Sequence, residues 1–261
     1  MKIQELLGPF RKAVTDYHMI EDGDKIAVGV SGGKDSLTLL ALLNAYKRFS
    51  PQKFEICAVT IDLGFDQSRD PFEQVSKYCA DNGILYAVER TDIGKILFED
   101  RKESSPCSLC SKMRRGALNA KLLSLGFSKL ALGHHSDDLA ETFLLSLFYE
   151  GRLSTFAPKN FMDRTGVTVI RPMVYLKEKD IRAFAKELPV VFNPCPADKH
   201  TQREYMKNLL THIKKNIPFA QDRLAGAITH PDRYNLWDNI NEKYIESVAE
   251  ANNKNEQTKK P

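Results

Sequence analysis

Short apolar runs alternate with amphipathic stretches along most of the chain, and few architectures accommodate that order. Residues 25–30, 54–61, 84–88, 129–132 and 167–170 read as strands. Residues 3–17, 37–46, 70–82, 111–125, 139–149 and 177–188 read as helices. A strand that is apolar on successive residues has to be covered on both faces. The alternation therefore predicts parallel strands joined by right-handed helical crossovers, an open, mostly parallel α/β sheet with helices on both faces. Ligands of such sheets bind beyond the carboxyl ends of the strands. The expected organisation is a helical segment over 1–22, an α/β domain over 23–192, a helical C-terminal extension over 193–250 and a polar tail over 251–261. Thr201-Gln-Arg-Glu204 fits a capping box opening a helix to about residue 215. Residues 151–166 read as a basic loop without periodicity.

Composition narrows the class. The chain has 261 residues, 42% hydrophobic and 28% charged, the balance of a soluble globular protein. No apolar run approaches the ~20 residues that span a bilayer. Residues 1–10 lack the basic segment and apolar stretch of a secretory signal, so the cytoplasm is the expected compartment and no membrane partner is expected. The net charge of +4 permits an anionic partner without demanding one. The pattern is compatible with a homodimer.

Ser31-Gly-Gly-Lys-Asp-Ser36 lies between an expected strand and an expected helix. Two glycines let the backbone turn and approach a ligand. The first amides of the helix then face an anion, aided by the helix dipole. Lys34 adds a positive charge, and the Ser31 and Ser36 hydroxyls can donate. The G-x-x-x-x-G-K-[ST] spacing is absent, so hydrolysis of a γ-phosphate is not the natural inference. The segment resembles the signature of PP-loop ATP pyrophosphatases. Asp35 fits either a Mg²⁺ carboxylate or a first-turn acid favouring the dipole.

Gly133-His-His-Ser-Asp-Asp138 is a second strand-to-helix element at the same sheet edge. Gly133 would permit close approach of a nucleotide. Asp137 and Asp138 suit helix capping, water around a metal, or both.

Five cysteines, an odd number in a chain without a signal, argue against a disulfide scaffold. Cys57 and Cys79 sit on apolar elements and read as buried. Cys107-Ser-Leu-Cys110 alone fits a redox pair, half a zinc site or part of an iron–sulfur site. Cys195, between Pro194 and Pro196, is held off regular helix. Three thiolates at Cys107, Cys110 and Cys195 would leave one iron of a cluster open to sulfide. The competing reading is a redox or persulfide pair at Cys107 and Cys110, with Cys195 structural.

In chain order, the phosphate loop, Pro106-Cys-Ser-Leu-Cys-Ser-Lys-Met-Arg-Arg-Gly116, Leu132-Gly-His-His-Ser-Asp-Asp138, Ile170-Arg-Pro172, Glu178-Lys-Asp-Ile181 and the isolated Cys195 resemble the tRNA 2-thiocytidine synthetase family, cytidine 2-sulfurtransferases of the PP-loop class. The likeness runs from about residue 10 to about 217. It implies an adenine nucleotide α-hydrolase-like fold, and ATP with Mg²⁺ at Ser31, Gly32, Gly33, Lys34, Asp35, Ser36, Gly133, His134, Asp137 and Asp138. It also implies a 4Fe–4S cluster as cofactor on Cys107, Cys110 and Cys195, with Lys34, Asp35 and the three cysteines as the catalytic set. A tRNA is the implied substrate and a cysteine desulfurase the implied sulfur donor. Pro196-Ala-Asp198 departs from family members in which a second cysteine follows.

Lys112, Arg114 and Arg115 follow the C-x-x-C, Arg152 lies in the 151–166 segment, and Arg203 and Lys207 lie on the last strong helix. These are the expected RNA phosphate contacts. Three other functions compete: a 2-thiouridine synthetase, a PP-loop ligase or amidotransferase, and a non-catalytic ATP-responsive RNA-binding module.

Overall fold

Among the described residues the strands form one sheet: β1 (Lys25–Gly29), β2 (Glu55–Asp62), β3 (Leu85–Arg90), β4 (Lys129–Ala131), β5 (Lys159–Met162) and β6 (Val167–Ile170). Their spatial order is β3-β2-β1-β4-β6-β5. All neighbours are parallel except β5, which pairs antiparallel with β6 at the edge. The computed structural model describes residues 1–65, 70–102, 106–192, 194–196, 201–230 and 233. The expected tail at 251–261 and residues 193, 197–200, 231–232 and 234–250 of the expected extension lie outside them.

The helices are α1 (Ile3–Asp16), α2 (Lys34–Lys47), α3 (Glu73–Asp81), α4 (Ile93–Lys95), α5 (Pro106–Ser124), α6 (Ser136–Leu145), α7 (Glu178–Phe184), α8 (Gln202–Asn216) and α9 (Ala220–Thr229). Wider π-type turns extend α4 over Ile96–Asp100 and α6 over Ser146–Glu150. None of the described helices is long and apolar enough to cross a membrane.

Strand alternation divides the core in two. Ile26, Val28, Ile56 and Ala58 pack with Leu6 and Phe10 of α1, Leu39 and Leu43 of α2, and Ile181 of α7. Ala27, Cys57, Val59 and Ile61 point to the other face, against Ile93, Leu97 and Leu122 from α4 and α5. Each fully buried Leu, Ile or Phe contributes about 1.5–3 kcal/mol. Helices therefore cover both faces, as the apolar strands require. Burial also pushes the Cys57 thiol up to about 12 and the Cys79 thiol up to about 11. Both remain protonated, inert core groups.

Three elements differ from the sequence reading, the first being α4, which with its π-type extension occupies Ile93–Asp100 in a stretch that reads as polar and irregular. Within the loop expected over 151–166 runs β5, closed onto β6 by a tight turn in which the Gly166 amide donates to the Met162 carbonyl at 2.8 Å. Four residues, two of them exposed, leave too short an apolar pattern to read as a strand. Helix α5 begins at Pro106, five residues before the expected start at 111. Proline suits a first helical position because its fixed φ is already helical and its missing N–H is not needed there. Cys107 and Cys110 thus stand on one side of the first helical turn.

The chain divides into two compact units, Met1–Ile213 and Lys214–Pro261. In the second, the end of α8 leads into α9, and Lys214 Nζ donates to Gln221 Oε1 at 2.8 Å.

Candidate nucleotide and thiol site

The 31–36 loop leaves the carboxyl end of β1 and turns into α2. Ser36 Oγ donates to the Gly33 carbonyl at 2.9 Å and accepts the Ser31 amide at 3.1 Å. Ser36 thus braces the loop from inside. Gly32 has φ +80°, and a Cβ there would lie 2.9 Å from the Val191 Cβ. A residue without a side chain is required for both reasons. The Val191 amide donates to the Gly32 carbonyl at 2.9 Å, which ties the approach to Cys195 onto the loop.

The second loop packs directly on the first. A Cβ on Gly133 would stand 3.0 Å from the Asp35 carbonyl and 3.1 Å from the Ser36 amide. Gly133 therefore admits the first turn of α2. Gly133→Ala must push the two loops apart. Such overpacking costs about 1–3 kcal/mol, and ATP affinity should fall with it. Denaturant unfolding and equilibrium ATP binding check this; wild-type values in both would refute it.

The two acids of the second loop have separate tasks. Asp138 Oδ2 accepts the His135 amide at 3.0 Å, capping α6. Asp137 Oδ2 accepts the Glu178 amide at 2.8 Å, capping α7 instead. Ser136 Oγ also donates to the Leu176 carbonyl at 2.7 Å. His135, 4% exposed, brings Nε2 to 3.4 Å from Asp138 Oδ2 and 3.6 Å from Asp35 Oδ1. The buried Asp35 Oδ1 has no hydrogen-bond partner.

Lys34 does not point freely into solvent. Its Nζ lies 3.0 Å from Asp35 Oδ2 and 3.2 Å from Glu178 Oε1. Burial would lower the Lys34 pKa, but Asp35 and Glu178 reverse this and raise it. Glu178 Oε1 also receives Arg182 Nη2 and Lys207 Nζ, each at 2.9 Å. Burial favours its neutral form, yet hydrogen bonds from Lys207 and Arg182, with the charge of Lys34, hold it down at about 2.

A cleft of about 410 Å³ opens over the ends of β1 and β4. Ser31, Asp35 and Ser36 line one side, Gly133, His134 and Asp138 another, and Ser111, Arg114 and Arg115 of α5 the third. That volume lies in the range of small-molecule sites. His134 stacks on Phe156 at 4.9 Å between ring centroids, and Arg171 covers Phe156 at 5.0 Å. Burial pushes His134 down to about 4, so its ring is neutral at pH 7. Arg114 also lines a second cleft of about 220 Å³, bounded by Ser31, Phe72, Phe192 and Pro194. The phosphate loop and the Cys195 segment therefore meet on Arg114.

The thiols lie at the same end of the sheet. Burial raises the Cys110 pKa, Arg114 opposes this, and the Cys195 and Cys107 thiols add to it. Cys110 is thus the thiol that lies within reach of both others. Among the described residues no group of three His, Cys, Asp or Glu side chains is gathered closely enough to hold a metal ion. Three neighbouring sulfur donors fit an iron–sulfur cluster chemically, and binding it would require them to close together.

The expected RNA contacts divide. Lys112, Arg115 and Arg152 are exposed. Arg203 instead reaches Asp138 at 3.5 Å, Glu141 at 3.4 Å and the Thr142 hydroxyl at 3.1 Å. Lys207 is engaged by Glu178. Both pair with carboxylates of α6 and α7, because α8 runs beside those helices, a proximity not encoded by any local spacing. Sequence reasoning missed Glu178, His135, Glu141 and Arg171. Glu178, His135 and Arg171 left a trace, within the short segments quoted for the family resemblance. Glu141 is held up at about 7 by burial and by Asp138, against the pull of Arg203.

The PP-loop domain family matches residues 2–214. A tRNA-cytidine(32) 2-sulfurtransferase of Syntrophotalea carbinolica is 41% identical over 242 residues, covering 91% of this chain and 92% of the relative. The Geobacter sulfurreducens protein of that name is 43% identical, covering 87% and 88%. Among solved structures, the U34-tRNA thiolase NcsA from Methanococcus maripaludis, with its [4Fe-4S] cluster, superposes with a TM-score of 0.70 at 25% identity, covering 89% of this chain and 80% of that one. A braced phosphate loop, a second loop locked against it and a C-x-x-C helix on a shared cleft accord with these matches, and the chain belongs to the PP-loop family and, within it, to the tRNA-cytidine(32) 2-sulfurtransferases.

Proposed function

We propose that this chain catalyses ATP-dependent thiolation of a tRNA cytidine, replacing its 2-keto oxygen with sulfur and releasing AMP and pyrophosphate. The observation that carries the reading is the shared cleft, lined by Ser31, Asp35 and Ser36 of the phosphate loop and by Ser111, Arg114 and Arg115 beyond the C-x-x-C. Activation at a phosphate and delivery of sulfur need such a common space. The relatives are named for cytidine 32, and that base is the proposed target.

In the first step the cytidine 2-keto oxygen attacks the α-phosphorus of ATP. A P–O bond forms and pyrophosphate leaves. The loop amides and Lys34 stabilise the charge that develops on the phosphates, and a Mg²⁺ held by Asp35 would add to that stabilisation. Ser31, Gly32, Gly33 and Ser36 shape the anion site, and Gly133, His134, Asp137 and Asp138 form its opposite wall. In the second step sulfide attacks C2 and the C–O bond breaks, with AMP carrying the oxygen away. Arg114 balances negative charge between the thiols and the loop. When bound by Cys107, Cys110 and Cys195, a 4Fe–4S cluster would supply an iron position open to sulfide. Sulfur comes from a cysteine desulfurase, in the cytoplasm. Lys112, Arg115 and Arg152 contact RNA phosphates, and the target base is presented from a single-stranded loop.

The test is anaerobic incubation of the iron-reconstituted protein with unmodified tRNA, ATP and sulfide. AMP and 2-thiocytidine should form in equal amounts. Formation of 2-thiouridine, or of AMP without a thionucleoside, would overturn the reading.

A further inference from the structure

One carboxylate joins the parts of the site that come from distant stretches of sequence. Glu178 opens α7 with its side chain 11% exposed. Its Oε1 receives Arg182 and Lys207 at 2.9 Å and Lys34 at 3.2 Å. Its amide is held by Asp137 of the second loop at 2.8 Å. Phosphate loop, second loop and α8 therefore converge on a single residue.

We infer that Glu178 is the positioning residue of the phosphate loop, parking the Lys34 ammonium at the loop and yielding it to the triphosphate of ATP when nucleotide enters. A carboxylate oxygen offers two principal lone-pair directions, and here three cationic donors share one. Lys34 makes the longest of the three contacts. It is the donor most readily exchanged for a phosphate oxygen, because Arg182 and Lys207 stay behind to neutralise Glu178. Asp35, at 3.0 Å, steadies the amine meanwhile. Lys34 thus waits near its working position, and little ordering remains for the moment of binding. Arg182, Lys207 and Asp35 are the other charged groups in contact with this pair.

The inference rests on reading residues 31–36 as an ATP loop, and its test separates the two. Purified protein, free of tRNA, is treated at pH 8 with an amine-acylating reagent, and Lys34 labelling is followed by peptide mass spectrometry. In Glu178→Gln the Lys34 amine loses a partner that favours its charged form. A drop of one pKa unit makes labelling about tenfold faster. Glu178→Asp keeps the charge but shortens the reach, and labelling should rise about threefold by the same relation. A non-hydrolysable ATP analogue should protect Lys34 in the wild type. Unchanged labelling in the folded Gln variant overturns the inference, as does unchanged labelling in the Asp variant if the Gln variant does not fold. Absence of protection in the wild type, with faster labelling in the variants, would instead overturn the ATP-loop reading.

Discussion

Lys34→Ala is expected to slow tRNA-dependent pyrophosphate release by about 10²–10³-fold, equivalent to about 2.7–4 kcal/mol of transition-state stabilisation. The ammonium is the phosphate loop's own mobile cation, and the helix amides that remain after its removal cannot follow charge as it shifts toward the leaving pyrophosphate. Its two carboxylate partners, Asp35 and Glu178, would then face the incoming triphosphate with less compensation. Lys34→Arg should recover only part of the rate, since a planar guanidinium on a different reach cannot reproduce a compact ammonium. Pyrophosphate release with unmodified tRNA and sulfide measures the effect. A change of less than about fivefold, equivalent to about 1 kcal/mol, would remove Lys34 from the chemistry.

The largest loss of stability is expected far from that site, at the opposite end of the strands. Lys129 begins β4 and is 6% exposed. Its ammonium is paired with Asp24 and donates to the Met19 carbonyl at 3.1 Å. The side chain thus ties the turn before β1 to the start of β4. Lys129→Ala removes the buried member of the pair and leaves the half-buried Asp24 carboxylate without its cation, at a cost of about 3 kcal/mol, the low end for a buried pair. Replacing both partners, as in Lys129→Met with Asp24→Asn, leaves no unpaired charge and should restore most of that loss. Urea unfolding of the two variants checks it. A single-variant loss below about 1 kcal/mol, the value of an exposed pair, would show that water already satisfies the pair.

Elements were legible where the sequence carries a strong local period or a steric demand. The apolar strands announced a sheet covered on both faces, and β1, β2, β4 and β6 stand within a residue or so of their expected places. Ser31 to Ser36 was legible because a tight turn into a helix restricts which residues fit. Edge strand β5 was not, since two of its four residues face solvent and its partner is found only through a turn. The start of α5 was misread because a proline ahead of a cysteine pair looks like a loop, although the first helical turn tolerates proline.

Charged residues divide along the same line. Sequence alone determined that an anion loop, a C-x-x-C and several basic residues exist in one chain, because backbone geometry and residue chemistry are local properties. Only the tertiary structure decided which charges remain available. Along the helix Arg203 and Lys207 read only as basic residues, and the fold pairs them with Glu141, Asp138 and Glu178. Gly133 lines the cleft, and the structure adds that it also makes room for the first turn of α2. Pairing and close approach depend on distances between elements far apart in sequence, and no local pattern encodes those distances.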